Sequence, residues 1–235
     1  MVCDAHLHSS HLPLADISSG GLFLSCSSSS ADWAPLLNDP RIIPFLGIHP
    51  ECLKDDWELE LEELDRILKE NPAAGLGECG LDRRFYKLIS REEQERALKA
   101  HFDLAKKYSR SIVLHQVQAS GALADFISGE KPEIPVLIHG FSGSREILKR
   151  YIQLDLFISL GPGVHSGGVE LAETLKLIPD NRLLLETDWP YTAGRGSTSY
   201  KEILNQHYEE ISRAMGVDFK TLAWRIRENG AVFTN

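Results

Sequence analysis

Short apolar segments recur along the chain, each about the length of a buried β-strand and nearly continuous in its apolar character. A strand that is buried on both faces needs such a run, as in a parallel sheet with helices on its surface. The segments read MVCDAHLH, GLFLSC, RIIPFLGIH, AAGLGECGLD, SIVLH, PVLIHG, DLFISLG and RLLLETD. We therefore predict roughly eight buried strands.

Between several of these segments the apolar positions follow a helical period. One apolar face is formed by residues spaced four, three and four apart, which are Trp57, Leu61, Leu64 and Leu68. Ser90 and Glu93 have the capping-box spacing in front of a second helical segment with apolar residues at 97–105. In this segment His101 falls among apolar neighbours, so we expect it to be a core residue. A third helical pattern covers 200–211.

Strands that alternate with helices indicate an α/β architecture with a parallel sheet. Roughly eight strands favour a TIM-type (β/α)8 barrel over an open sheet. The connection SSHLPLADISSG between the first two predicted strands has hardly any room for a crossover helix, so the first βα unit is the least regular part of this barrel. Because no internal repeat or linker interrupts the pattern, we expect residues 1–235 to form one domain.

Metal-binding residue types stand at the end of most of the predicted strands. These residues are His6, His8, His49, Glu78, His115, His139 and Asp188. In a parallel barrel the strand ends share one rim, which is the catalytic face. His6 and His8 alternate along a strand, so both side chains point to the same side. Imidazoles with a bridging carboxylate suit a dinuclear hydrolase, in which ions about 3.5–4 Å apart hold a water and a phosphoryl or carbonyl oxygen.

Several of these segments, in this order, resemble the motifs of the TatD family of metal-dependent hydrolases, the TatD-related DNases. The matching segments are DAHLH, GIHP, GLGECGLD, VLH, IHGFSGS, LLETDWPY and ENGAVF, so the resemblance runs nearly end to end. It implies a TIM-type barrel with two divalent metal ions that hydrolyses ester bonds, above all phosphoesters, as a deoxyribonuclease or phosphoesterase. It leaves the metal open among Zn, Mn, Mg, Ni and Fe.

The resemblance also implies a role for each candidate residue. One ion is assigned to His6, His8, Glu78 and Asp188, and the other to Glu78, His115 and His139. Glu78 would bridge the two ions, and Asp188 would also act as the general base for the attacking water. Glu78 and Asp188 are thus the expected catalytic residues, and Asp82 is expected to orient the ligands from just outside them.

Substrate contacts are expected from His49, Arg83, Arg84, His165 and Arg195. The family usually has an arginine and an acidic residue after the histidine of the fifth strand, where this chain has Gln116 and Gln118. One basic phosphate contact is therefore missing, and the two arginines after GLD offer a replacement. We expect small phosphate esters or the ends of single-stranded DNA to be cleaved better than long duplex DNA.

The charge of the chain points the same way. Lys and Arg number 25 and Asp and Glu 34, which gives a formal net charge of −9. An acidic protein has no general attraction for a polyanion, so any phosphate must be held locally, by a metal or by a few basic side chains.

The remaining composition bears on the compartment. The cysteines at 3, 26, 52 and 79 form no CxxC pair, which is typical of reduced thiols in the cytosol. No apolar run approaches the ~18 residues of a membrane span, and the first motif leaves no space for a preceding signal peptide. We expect a cytoplasmic protein that does not bind membranes.

Two other functions compete with a phosphoesterase. One is an amidohydrolase-type enzyme that cleaves an amide or a lactone on a similar barrel. Many such enzymes bridge their ions with a carboxylated lysine, whereas here Glu78 takes the bridging place and no lysine stands at a strand end. The other is a catalytically silent barrel, which would be expected to have lost a metal ligand, and none is lost in the sequence.

Overall fold

The structure, a computed structural model, describes residues 1–11, 20–163, 168–192 and 199–234. Eight parallel strands form one sheet in the order of the sequence. They are β1 (Cys3–Leu7), β2 (Leu22–Cys26), β3 (Ile43–Leu46), β4 (Gly75–Asp82), β5 (Ile112–Val117), β6 (Val136–Ile138), β7 (Phe157–Leu160) and β8 (Leu183–Leu185). Each apolar segment of the sequence thus provides one strand.

In the described part of the chain, helices follow the strands from the second onward. They are α1 (Trp33–Leu37), α2 (Trp57–Glu70), α3 (Arg91–Tyr108), α4 (Ser120–Glu130), α5 (Arg145–Gln153), α6 (Gly168–Leu177), α7 (Tyr200–Met215) and α8 (Phe219–Ala231). The described part of the β1–β2 connection is a 3₁₀ turn at Ser9–His11, and α1 has only five residues. The first units are therefore short, as the sequence predicts.

The first and last strands meet at their carboxyl ends and bring the sheet close to a closed barrel. The backbone N–H of Asp188 donates to the carbonyl of His6 at 2.9 Å, and the N–H of His8 donates to the carbonyl of Trp189 at 2.9 Å. With helices packed outside the strands, this confirms the predicted TIM-type barrel. Among the described residues no helix combines the length and the apolar character that a membrane span requires.

The helical periods of the sequence become the buried faces of the helices. In α2 the buried residues are Trp57, Leu61, Leu64 and Leu68. At the start of α3, Ser90 Oγ accepts the N–H of Glu93 at 3.2 Å. The Glu93 carboxylate does not complete the predicted capping box, because it accepts a hydrogen bond from Trp57 Nε1 at 2.7 Å instead. Only the Ser90 half of the capping box is therefore formed, and the Glu93 side chain instead joins α3 to α2.

His101 is a core residue, as expected from its position within α3. It is fully buried, and its Nδ1 is 2.8 Å from the carbonyl of Ala97 one turn earlier. Its Nε2 accepts the backbone N–H of Ile48 at 3.1 Å, just beyond β3. This side chain therefore joins a helix to the end of a strand and helps to fix the loop that carries His49.

Candidate metal centre

Glu78 lies among imidazoles at the carboxyl end of the barrel, and it is almost completely buried. Its Oε1 is 2.7 Å from His115 Nδ1 and 2.8 Å from His139 Nε2. Its Oε2 is 3.4 Å from Nε2 of both His6 and His8. The two oxygens of one carboxylate therefore face two different pairs of histidines.

Asp188 closes the cluster from the end of β8. Its Oδ1 is 3.5 Å from His6 Nε2 and 3.8 Å from His8 Nε2. The residue has φ +48°, in the left-handed region that Asp tolerates better than most residues. Its side chain is 24% exposed, so it is the member of this group that the cavity reaches most readily.

Acidic side chains lie behind the rings of His115 and His139. His115 Nε2 lies 3.0 Å from Asp82 Oδ2, and Asp82 also accepts the backbone N–H of Arg84 at 2.9 Å and its guanidinium at 2.6 Å. His139 Nδ1 is 3.5 Å from Oε1 of Glu186, whose other oxygen accepts the hydroxyl of Ser159. The hydrogen bond to Asp82 sets the tautomer of His115, so that Nδ1 faces the centre. Glu186 stands behind His139 without a hydrogen bond between the two side chains.

The tautomer of His115 leaves an electrostatic conflict that a cation would resolve. With the Nε2 proton of His115 directed at Asp82, the lone pair of Nδ1 faces Glu78 Oε1 at 2.7 Å. Two lone pairs at this distance repel each other, so a positive charge must lie between them, either a second ring proton or a metal ion. Buried His6 shows the same need, because neither of its ring nitrogens has a hydrogen-bond partner among the described residues. The donor set of imidazoles and carboxylates therefore fits a divalent metal.

Three groups of side chains offer ligand atoms that all lie within 4.8 Å of one another. The groups are His6, His8 and Asp188; His6, Glu78 and His139; and His49, Glu78 and His115. The structure thus brings together all of the residues for which the sequence predicts metal binding. Because the groups share His6 and Glu78, they form one continuous cluster.

The carboxylates of the cluster are held in their charged form. Burial raises the pKa of Glu78, but the facing imidazoles of His139 and His6 outweigh it and hold this pKa well below its usual range. Burial likewise opposes the charge on Asp188, and the imidazole of His6, 3.5 Å away, lowers the pKa of Asp188 in spite of it. A carboxylate must lose its proton to bind a metal, so both groups are ready to do so.

A glycine lets β4 carry Glu78 close to β5. Gly80 has φ +155°, and a Cβ atom at this position would lie 2.0 Å from the carbonyl oxygen of His115. Any other residue would push the two strands apart exactly where Glu78 and His115 must meet. This explains a glycine within GLGECGLD by close backbone approach.

A residue without an assigned role in the sequence, Asp4, supports the opposite side of the cluster. It is fully buried and accepts hydrogen bonds from the backbone N–H of Thr187 at 2.9 Å, the Thr187 hydroxyl at 2.6 Å and the Tyr200 hydroxyl at 2.9 Å. Asp4 thereby joins β1, which carries His6, to the segment that carries Asp188 and to α7. Its alternation with His6 and His8 along β1 is the sequence signal that could have identified it.

A cavity of about 690 Å³ opens above the cluster. Its described lining includes two of the expected substrate contacts, His49 and Arg84, as well as Gln116 and Gln118. His49 Nδ1 accepts the backbone N–H of Glu51 at 3.1 Å, so in the neutral ring the proton is on Nε2, which lies 3.7 Å from Glu78 Oε1. Burial lowers the pKa of His49 to about 4, which keeps this ring neutral.

The other expected substrate contacts are placed differently. Arg83 is exposed in the 3₁₀ turn Arg83–Phe85 and does not belong to the described lining of the cavity. His165 and Arg195 lie outside the described residues. In the described part of the chain no lysine lines the cavity, which gives no support to a carboxylated-lysine bridge.

Known proteins resemble this chain both in sequence and in fold. Residues 18–233 match the family model of TatD related DNase, a stretch that begins after His6 and His8. The chain is 35% identical over 194 residues to the 3'-5' ssDNA/RNA exonuclease TatD of Pantoea vagans (strain C9-1), which covers 78% of this chain and 74% of the relative. It is 32% identical over 148 residues to the uncharacterized metal-dependent hydrolase YjjV of Escherichia coli (strain K12). That alignment covers 62% of this chain and 57% of the relative, less than two-thirds of its length.

Solved structures support the fold over its whole length. The crystal structure of YjjV, a TatD homologue from Escherichia coli, has a TM-score of 0.85 at 24% identity and covers 100% of this chain and 98% of its own. A hydrolase of the TatD family from Entamoeba histolytica has a TM-score of 0.76 at 16% identity, with 99% and 97% covered. At these identities the likeness concerns the fold alone.

Proposed function

The chain belongs to the TatD-related DNase family, and from this premise we propose that residues 1–235 form a single metal-dependent hydrolase domain that cleaves phosphoester bonds. The observation that carries the proposal is the position of Glu78, whose two carboxylate oxygens face two separate pairs of imidazoles. A carboxylate that bridges two metal ions is expected to have a set of ligands at each of its oxygens. A carboxylate with a purely structural role needs only one partner.

The ligands divide between two ions according to the oxygen of Glu78 that they face. His6, His8 and Asp188, which face Oε2, would hold one ion with Glu78, and His115 and His139, which face Oε1, would hold the other. Nitrogen and carboxylate donors suit Zn, Mn, Fe or Ni better than an ion that prefers oxygen alone. When bound, such ions activate water and polarise the phosphoryl oxygen.

The protein's own side chains position the reactants and move the proton. Asp188, a partly exposed carboxylate, orients the attacking water and accepts its proton. His49 directs its Nε2–H into the cavity and donates to a phosphoryl or leaving-group oxygen. Asp82 keeps the ring of His115 in the tautomer that presents a lone pair to the centre, and Glu186 lies 3.5 Å behind His139 Nδ1.

The cavity favours a short or single-stranded substrate. Arg84 is the one cationic side chain in its described lining, and Gln116 and Gln118 offer neutral amides beside it. A net charge of −9 adds a general repulsion of long polyanions. We therefore propose the ends of single-stranded nucleic acid, or small phosphate esters, as substrates, in line with the name of the relative from Pantoea vagans.

The test is a hydrolysis screen with metal-free protein reloaded with Zn, Mn, Mg, Ni or Fe(II). The substrates are aryl phosphates, a thymidine dinucleotide, single-stranded and duplex oligonucleotides, and a lactone. We expect metal-dependent cleavage of single strands or small phosphoesters to exceed that of the duplex, with Glu78→Ala as the inactive control. Hydrolysis of the lactone alone, or of no substrate with any metal, would contradict the proposal.

A further inference from the structure

We propose that residues 83–88, with the sequence RRFYKL, form a track on which single-stranded nucleic acid lies as it extends from the metal centre. This inference rests on the proposed function, and it adds a direction to the binding of the substrate. The track leaves the barrel through the loop between β4 and α3. It is called the strand track below.

Arg84 joins the strand track to the centre. It lines the cavity, and its side chain is 52% exposed. Its guanidinium binds Asp82 through Nε and Nη2, and Asp82 in turn is 3.0 Å from His115 Nε2. Nη1 has no hydrogen bond among the described residues and remains available to a phosphate. The phosphate adjoining the cleaved bond would therefore meet Arg84 first.

Two further cations belong to the same loop and lie outside the described lining of the cavity. Arg83 and Lys87 are both exposed, and within the described residues neither forms an ion pair. The loop that carries them is held in shape by Asp82, which accepts the N–H of Arg84, and by the Phe85 carbonyl, which accepts the N–H groups of Leu88 and Ile89 at 2.8 and 2.9 Å. Unpaired exposed cations close to a phosphoester site attract the next phosphates of the chain.

The other described loops on this face offer no comparable charge. The loops at 8–11, 27–32, 47–56, 118–119, 139–144, 161–163 and 186–192 contain one cation between them, which is Lys54. Lys54 is already 3.6 Å from Glu60. The described part of the catalytic face is therefore electrostatically one-sided, and a polyanion that enters the centre is drawn out over the β4–α3 loop.

The same loop carries aromatic and apolar side chains between its cations. Phe85 and Tyr86 are half-buried, and the Arg84 guanidinium lies 5.5 Å from the centre of the Phe85 ring. Leu88 is 80% exposed. Cations that alternate with aromatic rings bind the backbone and the unpaired bases of single strands, whereas the bases of a duplex are not available for such contacts. The occupant that fits is therefore a single strand.

The test compares substrates of two lengths. A double variant, Arg83→Gln with Lys87→Gln, is compared with Arg213→Gln with Lys220→Gln, which removes the same charge from the opposite end of the barrel, where α7 ends and α8 begins. We expect the first variant to raise KM for dT10 about tenfold at 0.1 M salt. It should raise KM for dT2 far less, because a dinucleotide held at the centre is too short to lie along the strand track. Each lost single-strand contact removes about 0.7 from the salt slope. The slope for dT10 should fall by about 1.4.

Binding without turnover gives a second measurement. In the Asp188→Asn background, the fluorescence anisotropy of labelled dT10 should show the same loss of affinity in the first double variant and none in the control. Equal effects of both double variants, equal effects on dT2 and dT10, or unchanged salt slopes would overturn the strand track. Tighter binding of duplex than of dT10 would also overturn it. A wild-type protein that cleaves neither oligonucleotide would instead contradict the proposed function.

Discussion

The two sides of the candidate centre hold their imidazoles in different ways. On the β5–β6 side, His115 and His139 lie 2.7 and 2.8 Å from Glu78, and acidic side chains face their far nitrogens. On the β1–β8 side, His6 and His8 lie 3.4 Å from Glu78, His6 has no hydrogen-bond partner for its ring among the described residues, and His8 Nδ1 lies 3.4 Å from the Ser28 hydroxyl. Here no acidic side chain stands behind either ring among the described contacts, and Asp4 holds the backbone.

This difference indicates two degrees of preorganisation within one centre. A ring with a carboxylate behind it, as His115 has in Asp82, loses little freedom when an ion binds, and its basicity is raised. The rings of His6 and His8 lack such a carboxylate and lose more freedom when an ion binds. We therefore expect the β5–β6 side to bind the first metal ion more tightly, and the β1–β8 side to fill second.

The largest effect is expected from Glu78→Ala, because this residue serves both sides. The variant should lose nearly all turnover and bind neither ion well, since both sets of imidazoles lose their shared carboxylate. Elemental analysis after equilibrium dialysis measures the occupancy, and Glu78→Gln serves as a control of similar volume. If Glu78→Ala kept one tightly bound ion, one side would be sufficient by itself and the bridge would be disproved.

Asp188→Asn should lower kcat by about 10²–10⁴-fold, the usual contribution of general acid–base catalysis. Asn keeps the shape and one ligand oxygen but accepts no proton, so the metal content should fall much less than turnover. Steady-state kinetics and metal analysis on the same preparation separate the two roles. A parallel loss of metal and turnover would reduce Asp188 to a ligand.

Asp82→Asn should weaken metal binding on the β5–β6 side about 10–100-fold, as is typical for loss of a carboxylate behind a histidine ligand. The second ion should be affected much less, because His6 and His8 do not contact Asp82. Calorimetric titration with metal would resolve the two steps. An equal loss in both steps would remove the distinction between the two sides.

His101 is expected to lower the stability of the fold in acid, separately from any effect of pH on the two sides of the centre. Burial lowers its pKa to about 4, below the value near 6.5 of an unfolded chain, so the unfolded state takes up a proton first as the pH falls. Stability is therefore complete above about pH 6.5 and is lost towards pH 4, by about 2 kcal/mol at pH 5. His101→Gln should lack this part of the acid sensitivity, as measured by denaturant unfolding of metal-free protein at pH 7.5 and 5.

The smallest effect is expected from Tyr200→Phe, which removes one of the hydrogen bonds to Asp4. Burial raises the pKa of Asp4 to about 7, so the lost bond is expected to contribute about 0.5–1.5 kcal/mol to stability, the range of an ordinary hydrogen bond, and Thr187 still holds Asp4. Metal affinity should change by a few-fold in the second titration step and not in the first, the reverse of Asp82→Asn. Thr187→Val is the matched variant on the same carboxylate and should shift the same step.

Much of this arrangement could be predicted from the sequence because burial leaves a simple pattern. Strands buried on both faces read as continuous apolar runs, so all of them were found, and a histidine or acid at the end of a run could be assigned to the catalytic rim. The spacing of His6 and His8 needed nothing beyond strand alternation. The family resemblance then ordered these residues into a centre.

Other features depend on contacts between distant parts of the chain and leave a weaker trace. Asp4 meets Thr187 and Tyr200 only after the barrel forms. Glu186 was missed although it lies two residues before Asp188, because a second acid in LLETD has no evident partner until His139 is placed beside it. The capping box predicted for α3 is incomplete for the same reason, because Trp57 of a neighbouring helix donates a hydrogen bond to the carboxylate of Glu93.

The order of the ligands along the chain has a consequence for the protein as it is being synthesised. Glu78 and His139 have both left the ribosome's active centre long before Tyr200, which must still join Asp4 across 196 positions of sequence. At about 5–20 residues per second, the interval between His139 and Asp188 is roughly 2–10 s. During these seconds the nascent chain already contains every residue proposed to hold one ion and lacks Asp188, the last residue proposed to hold the other. Biosynthesis and preorganisation thus favour the same side as the first to receive metal.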